Sequence, residues 1–168
     1  MMAEYKITQN GVFRRSDNAG IPADINNSDW QKYLEWLNQG NTPDPQFTLD
    51  DLKAQKIADL QDTYQSAIFT NVTYTSKSQI TKNYQNDANS QQVLLQTTIG
   101  YGIAGRTPNS FYWLADDNTP VMFELSDLQG LYQTMLENGQ NAFIKYQTLK
   151  AQAKQANDES TLNAINWD

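Results

Sequence analysis

The sequence predicts an α+β protein: a small N-terminal β-hairpin plus aromatic helix, a Pro-rich linker, then a helix–hairpin–helix–hairpin–long helix domain. Three observations predict it. Short β-prone runs alternate with stretches of helical periodicity. Turn-forming Asn-Gly, Ser-Lys-Ser and Asp-Asp-Asn-Thr sequences sit between paired β-prone runs. Beyond Ser126 the apolar residues step in threes and fours over nearly four heptads.

EYKIT (4–8) and VFRRS (12–16) flank Gln9-Asn10-Gly11, and Asn-Gly favours a tight hairpin because both residues accept positive φ. The following DNAGIPADINN is turn chemistry throughout. An aromatic helix starts near Asn27 or Ser28, either of which makes an N-cap, with Asp29 in the favourable first turn. Trp30, Tyr33, Leu34 and Leu37 fall on one helical face and Trp36 stands beside it. Gly40 suits the position after the helix, and Pro43 and Pro45 forbid continuation. The predicted organisation is an N-terminal segment 1–40, a linker 41–47 and a domain 48–168.

Thr48 opens a second helix with Asp51 in the capping-box position, and its apolar face runs to about Phe69. NVTYTSKSQITKNY (71–84) reads as a hairpin, followed by a helix over roughly 87–101. FYWLA (111–115) and PVMFEL (120–125) flank Asp116-Asp117-Asn118-Thr119 as a second hairpin. The long helix has Ser126 as its expected N-cap. Its apolar row is Leu128, Tyr132, Met135, Ala142, Tyr146, Leu149 and Ala153, with Gly139 in one slot. That face is expected to pack within its own domain, with self-association as a coiled coil the alternative. Asn157 to Ser160 break it before a short terminal helix.

Composition limits the function. Cysteine and histidine are absent, which removes disulfides, thiolate nucleophiles, Cys/His zinc sites and His-based triads. Neutral-pH acid–base work would fall to carboxylates, Lys or Tyr, so the expectation is a protein that is not an enzyme. The net charge is −7 with no basic stripe, which argues against nucleic acid. No apolar run approaches the ~20 residues that cross a bilayer, and the first residues lack an export pattern, so no membrane role is expected.

The candidate chemical motifs have structural explanations. Gly100-Tyr101-Gly102-Ile103-Ala104-Gly105 fits G-x-G-x-x-G, but no helix follows to receive a pyrophosphate. The glycines are expected to end a helix. Asp50-Asp51 and Asp116-Asp117-Asn118 lack metal-loop spacing and read as a helix start and a hairpin turn. No cofactor or metal is expected. The aromatics are the candidates that remain: Trp30 and Tyr33 read first as core, Trp36 as interface, and with Trp113 they form the set assigned to partner binding.

The segment VFRRSDNAGIPADINNSDWQKYLEWLNQGNTPDP resembles the N-terminal part of many tailed-bacteriophage tail proteins. Its matching positions are Ile21, Pro22, Asp24, Asn27, Asp29, Tyr33, Leu34, Trp36, Leu37, Gly40, Asn41 and Pro43. The remainder resembles a diffuse phage and prophage domain through Trp113, Asp117, Asn118, Val121, Leu125, Leu128, Leu149, Lys150, Leu162 and Ile165. That family often carries His in its long helix, where this chain has Gln and Asn. The resemblance implies a non-enzymatic tail component or tail-fibre assembly chaperone that binds a fibre or baseplate protein. It implies placement in the host cytoplasm during assembly, or in the virion tail. It assigns no catalytic residues. A host-surface carbohydrate-binding module using Trp30, Trp36 or Trp113 is the alternative reading.

Overall fold

A computed structural model describes residues 2–168. Contacts divide the chain into two compact units, one ending at Ala54 and the other beginning at Gln55.

In the first unit, β1 (Tyr5–Thr8) and β2 (Gly11–Arg14) form the expected hairpin. The turn itself is Gln9-Asn10, and Asn10 does not take the expected positive φ. A Cβ on Gly11, the first residue of β2, would collide with the Ile21 carbonyl, so the close approach of the next strand needs glycine there. The stretch read as turn is in part a third strand, β3 (Ala19–Pro22), antiparallel to β2 with Val12 opposite Ile21. Both of those side chains are buried, and that burial outweighs the low strand preference of Ala, Gly and Pro. Pro22 ends the outer strand, where its missing N–H breaks no ladder. Helix α1 (Ser28–Asn38) is capped by Asn27, whose side chain accepts from Asp29 N and Trp30 N. Gly40 follows it at φ +85°. The stretch 41–47 is held at Asp44, which pairs with Lys6 on the edge of β1 and binds Arg15 at 2.8 Å.

Helix α2 (Leu49–Ala67) starts at Thr48, whose N–H and hydroxyl both donate to Asp51, at 2.9 and 2.7 Å. In the second unit follow β4 (Val72–Thr75) and β5 (Thr81–Tyr84), α3 (Ala88–Ala104), β6 (Tyr112–Leu114) and β7 (Pro120–Met122), α4 (Leu125–Gln155) and α5 (Glu159–Asn163). Both strand pairs are antiparallel hairpins, so the architecture is mixed α and β with small antiparallel sheets. The core gathers Val72 and Tyr84, Leu94 of α3, Val121 and Phe123 of the second hairpin, and Leu128, Leu131 and Met135 of α4.

Two expectations for α4 change. It begins after Glu124 rather than Ser126, because the Asp127 carboxylate reaches back to accept the Glu124 N–H at 2.8 Å. Its buried row is Leu128, Leu131, Met135, Ala142, Tyr146 and Ala153, with Tyr132 and Leu149 only half-buried. That face is covered from within the chain: Leu128 to Met135 lie in the core with Leu94, and Tyr146 stacks on Tyr64 of α2 at 5.2 Å. The helix also carries apolar residues outside that row, with Leu136, Phe143 and Ile144 each about half exposed.

Asp127 is 2% exposed and accepts from Lys77 N at 2.7 Å and Tyr74 Oη at 3.4 Å as well as from Glu124 N. Replacing it by alanine strands two backbone donors, and urea unfolding of Asp127→Ala should show a loss of about 2–4 kcal/mol.

Two helical glycines should respond with opposite sign. A Cβ on Gly130 would enter the Tyr74 ring, with ring carbons at 2.9 Å. Nothing lies within 4 Å of a Cβ on Gly100. Thermal melts should therefore show Gly100→Ala stabilised by about 0.5–1 kcal/mol and Gly130→Ala destabilised by about 1–3 kcal/mol.

Candidate functional site: an uncharged aromatic edge

The four aromatics singled out from sequence fall into two places. Trp30, Tyr33 and Trp36 come together in the first unit, around Tyr5. Tyr5 lies 5.1 Å from Tyr33 and 5.0 Å from Trp36, and Trp30 lies 5.0 Å from Tyr33. Tyr33 is buried and its phenol is pushed up by desolvation, while Trp30 and Trp36 are half-buried against it. This cluster is the core of a small unit, and only the outer faces of the two tryptophans remain for contact. Arg14 ties its rim together, donating to Asp17 at 2.6 Å and Asp29 at 3.1 Å. Both carboxyls are held below their usual range by that guanidinium.

Trp113 belongs to the second unit, on β6. Its ring is half-buried beside Phe111, itself packed on Tyr101 of α3. Along β6 and β7 the inward side chains are Trp113 and Val121, which are register partners. The outward ones are Tyr112 opposite Met122 and Leu114 opposite Pro120. A hairpin with one solvated face normally turns polar side chains to water. Here Tyr112, Leu114 and Met122 are each half exposed or more.

Two hollows flank this strand. One, of about 310 Å³, lies between Tyr112–Leu114 and Gln85, Asn89, Ser90 and Val93. The other, of about 490 Å³, lies between Phe111–Trp113 and Thr97, Gly100, Tyr101 and Ala104. Helix α3 carries apolar residues away from the core as well: Val93, Ile99 and Ile103 are exposed, Ile103 at 85%. Between Asp87 and Asp116 the only charged residue is Arg106, in a chain of net charge −7. The region is apolar and neutral together, a composition suited to binding an uncharged partner surface.

These residues were not singled out from sequence, yet a signal is present. FYWLA is a continuous apolar run rather than an alternating one, and Val93, Leu94 and Leu95 cannot share one face of a helix. Both patterns place apolar groups on both sides of an element.

The larger cleft, of about 850 Å³ at the start of α4, mixes charged side chains with Met122, Phe123 and Leu125. Of its charged groups, Lys77 binds Glu124 at 2.6 Å, Asp127 accepts from two backbone N–H groups and the Tyr74 hydroxyl, and Arg106 lies on the rim without an ion pair among the described residues. The other carboxylates serve structure. Asp51 caps α2, Asp87 caps α3, and Asp117 accepts from Thr119 N at 3.0 Å and Lys82 at 2.6 Å. Asn118 holds the turn at φ +61°. The G-x-G-x-x-G glycines lie in the last turns of α3 and end it at Gly105, φ +73°. Among the described residues no three His, Cys, Asp or Glu side chains stand together as metal ligands. No helix among them is long and apolar enough to cross a membrane.

Residues 51–166 match the model of a family described as a domain of unknown function, DUF4376, and the chain belongs to that family. No curated protein and no solved structure matches it.

The carboxyls of Asp17, Asp29, Asp51, Asp87, Asp117 and Asp158 are all held low, chiefly by hydrogen bonds to Arg14, Thr48, Ser90, Lys82 and Thr161. A folded value below the unfolded one, about 3.9 for Asp, gives stability that is complete well above that value and lost as pH falls toward the folded value. Urea midpoints should therefore drop between pH 7 and pH 3. The drop should shrink in Asp117→Asn, whose hydrogen bonds to Lys82 and Thr119 no longer depend on a carboxylate.

Proposed function

We propose that this member of the DUF4376 family is a non-enzymatic component of a bacteriophage tail that binds a tail-fibre or baseplate protein. It serves either as a resident of the virion or as a chaperone during fibre assembly in the host cytoplasm. The observation that carries the reading is the neutral, apolar surface of β6, β7 and α3, exposed on an otherwise acidic chain. An apolar surface of this kind is a liability unless a partner covers it. The tail assignment rests on the resemblance of residues 12–45 to phage tail proteins. The half-buried Trp30 and Trp36 supply a second place for partner contact.

A second reading is favoured by one observation. Trp113 and Tyr112 face the polar side chains of Gln85, Asn89 and Ser90 across a hollow of about 310 Å³. An aromatic ring beside amides and a hydroxyl also suits a neutral sugar, as in a host-surface carbohydrate-binding module. A glycan array read with the wild-type chain and Trp113→Ala tests it, and reproducible Trp113-dependent binding supports the sugar.

For the protein-binding reading, the chain is co-expressed with the tail-fibre protein of the same genome. Co-purification, or a gain in fibre solubility, is expected, and Leu114→Glu with Met122→Glu should abolish it with little change in the melt. No association and no solubility gain overturns the reading. Mass spectrometry of purified virions then separates the forms, since a resident subunit is in the particle and a transient chaperone is not.

A further inference from the structure

The hollows beside Trp113 have a shape that specifies more than an apolar contact. Each is lined by three successive residues of one strand, Tyr112 to Leu114 in one and Phe111 to Trp113 in the other. Successive side chains of a strand point to opposite faces. A cavity touching three in a row therefore runs along the edge of β6, not over one face.

That edge is open. Phe123 N donates to Phe111 O at 3.2 Å and Ala115 N to Thr119 O at 3.0 Å, which marks 111/123 and 115/119 as hydrogen-bonded pairs. Antiparallel ladders alternate, so 113/121 is the third such pair. The N–H and C=O groups of Tyr112 and Leu114 must then point away from β7, into the hollows. Pro120, which has no N–H to give, sits opposite Leu114 in agreement with this. Outside the β6–β7 ladder no backbone hydrogen bond reaches those four main-chain groups among the described residues. The same edge closes just beyond Leu114: Asp116 N, outward by the same alternation, donates to Asn83 O of β5 at 2.8 Å, which leaves Tyr112 and Leu114 as its free stretch. Free edges are normally guarded by charge or proline, yet β6 reads Tyr-Trp-Leu.

The opposite wall is α3. Val93, Thr97, Gly100 and Ala104 succeed one another at helical spacing along it, all of them short side chains. Gly100 lies in the helix interior with nothing within 4 Å of where a Cβ would stand. Gly102 and Gly139 have the same open space, but of the three Gly100 alone lines the hollow, where it leaves room for a backbone.

We propose that the slot between β6 and α3 receives an extended, uncharged segment of a partner protein, which adds as a strand to β6. It bonds through the N–H and C=O of Tyr112 and Leu114 and packs its backbone toward Gly100. The four unpaired main-chain groups select a peptide over a sugar, because a strand satisfies them in register. The lack of charge from Asp87 to Arg106, and again from Thr107 to Ala115, selects an uncharged segment. That the segment comes from a tail protein rests on the function proposed above; the geometry of the slot does not.

The test follows backbone amides by NMR with two probes: a panel of uncharged ten-residue peptides of alternating Val/Tyr and Thr/Asn, and the tail-fibre protein of the same genome. Binding should slow hydrogen exchange at Tyr112 and Leu114 at least tenfold and leave Trp113, already bonded to β7, unchanged. Leu114→Pro removes an outward N–H that the hairpin does not use, so it should weaken binding at least tenfold while the melt stays within a few degrees. If that variant unfolds, Leu114→Lys, an edge charge, takes its place. Gly100→Leu should block the slot, and Gly102→Ala, which also has open space but does not line it, should bind as wild type. No protection at Tyr112 and Leu114 with either probe overturns the strand site. A fibre complex with those amides unmoved overturns it too, but leaves the tail function standing. Peptide binding without any fibre complex keeps the site and removes the tail function. A neutral oligosaccharide shifting the Trp113 ring, with both amides silent to peptides and fibre, overturns it in favour of the sugar.

Discussion

The second unit is organised around one buried carboxylate. Asp127 is almost fully enclosed, and a charge in that position is tolerable only when donors surround it. Its donors come from separate elements: the Glu124 N–H at the start of α4, the Lys77 N–H in the β4–β5 turn and the Tyr74 hydroxyl on β4. One side chain thus fixes the first hairpin on the first turn of a 31-residue helix, at the end where the helix field favours negative charge. Gly130 completes the arrangement one turn later by letting the Tyr74 ring lie directly on the helix backbone. Leu128, Leu131 and Met135 are then in place to meet Leu94 and Phe123. Asn86 plays a parallel part, fully buried, donating to Ile68 O and Thr70 O, both at 3.0 Å, to join the end of α2 to the approach to α3.

Where the local chemistry is self-contained, these elements are legible from sequence. Asn27 and the Thr48–Asp51 pair each complete a hydrogen-bonding pattern within four residues. What was not legible depends on distant partners. Strand β3 exists because Ile21 is buried beside Val12, a fact that its Gly and Pro neighbours conceal. The start of α4 moves from Ser126 to Glu124 because Asp127 is held from two other elements as well as its own. The heptad-like row gives the right periodicity but not its partner, since Tyr64, Leu94 or a second chain would all accept it. Of the candidate site, Trp113 was legible as an aromatic beside a turn. The open edge next to it was not, because hydrogen-bond alternation along β6 is set by its register with β7.

Several departures of the fold from local rules fall together along one slot. The exposed side of the second hairpin is apolar where a solvated face should be polar, and α3 is apolar on both sides. A glycine sits mid-helix at a site with room for alanine, at a cost of roughly 0.5–1 kcal/mol. A strand edge of three large apolar residues has no charge or proline to guard it. Any one of these alone would be an ordinary irregularity. Their coincidence on two facing elements, in the longest uncharged part of an acidic chain, has a common cause if another backbone fills the gap. That backbone would cover the apolar face, pair the edge and use the space above the glycine.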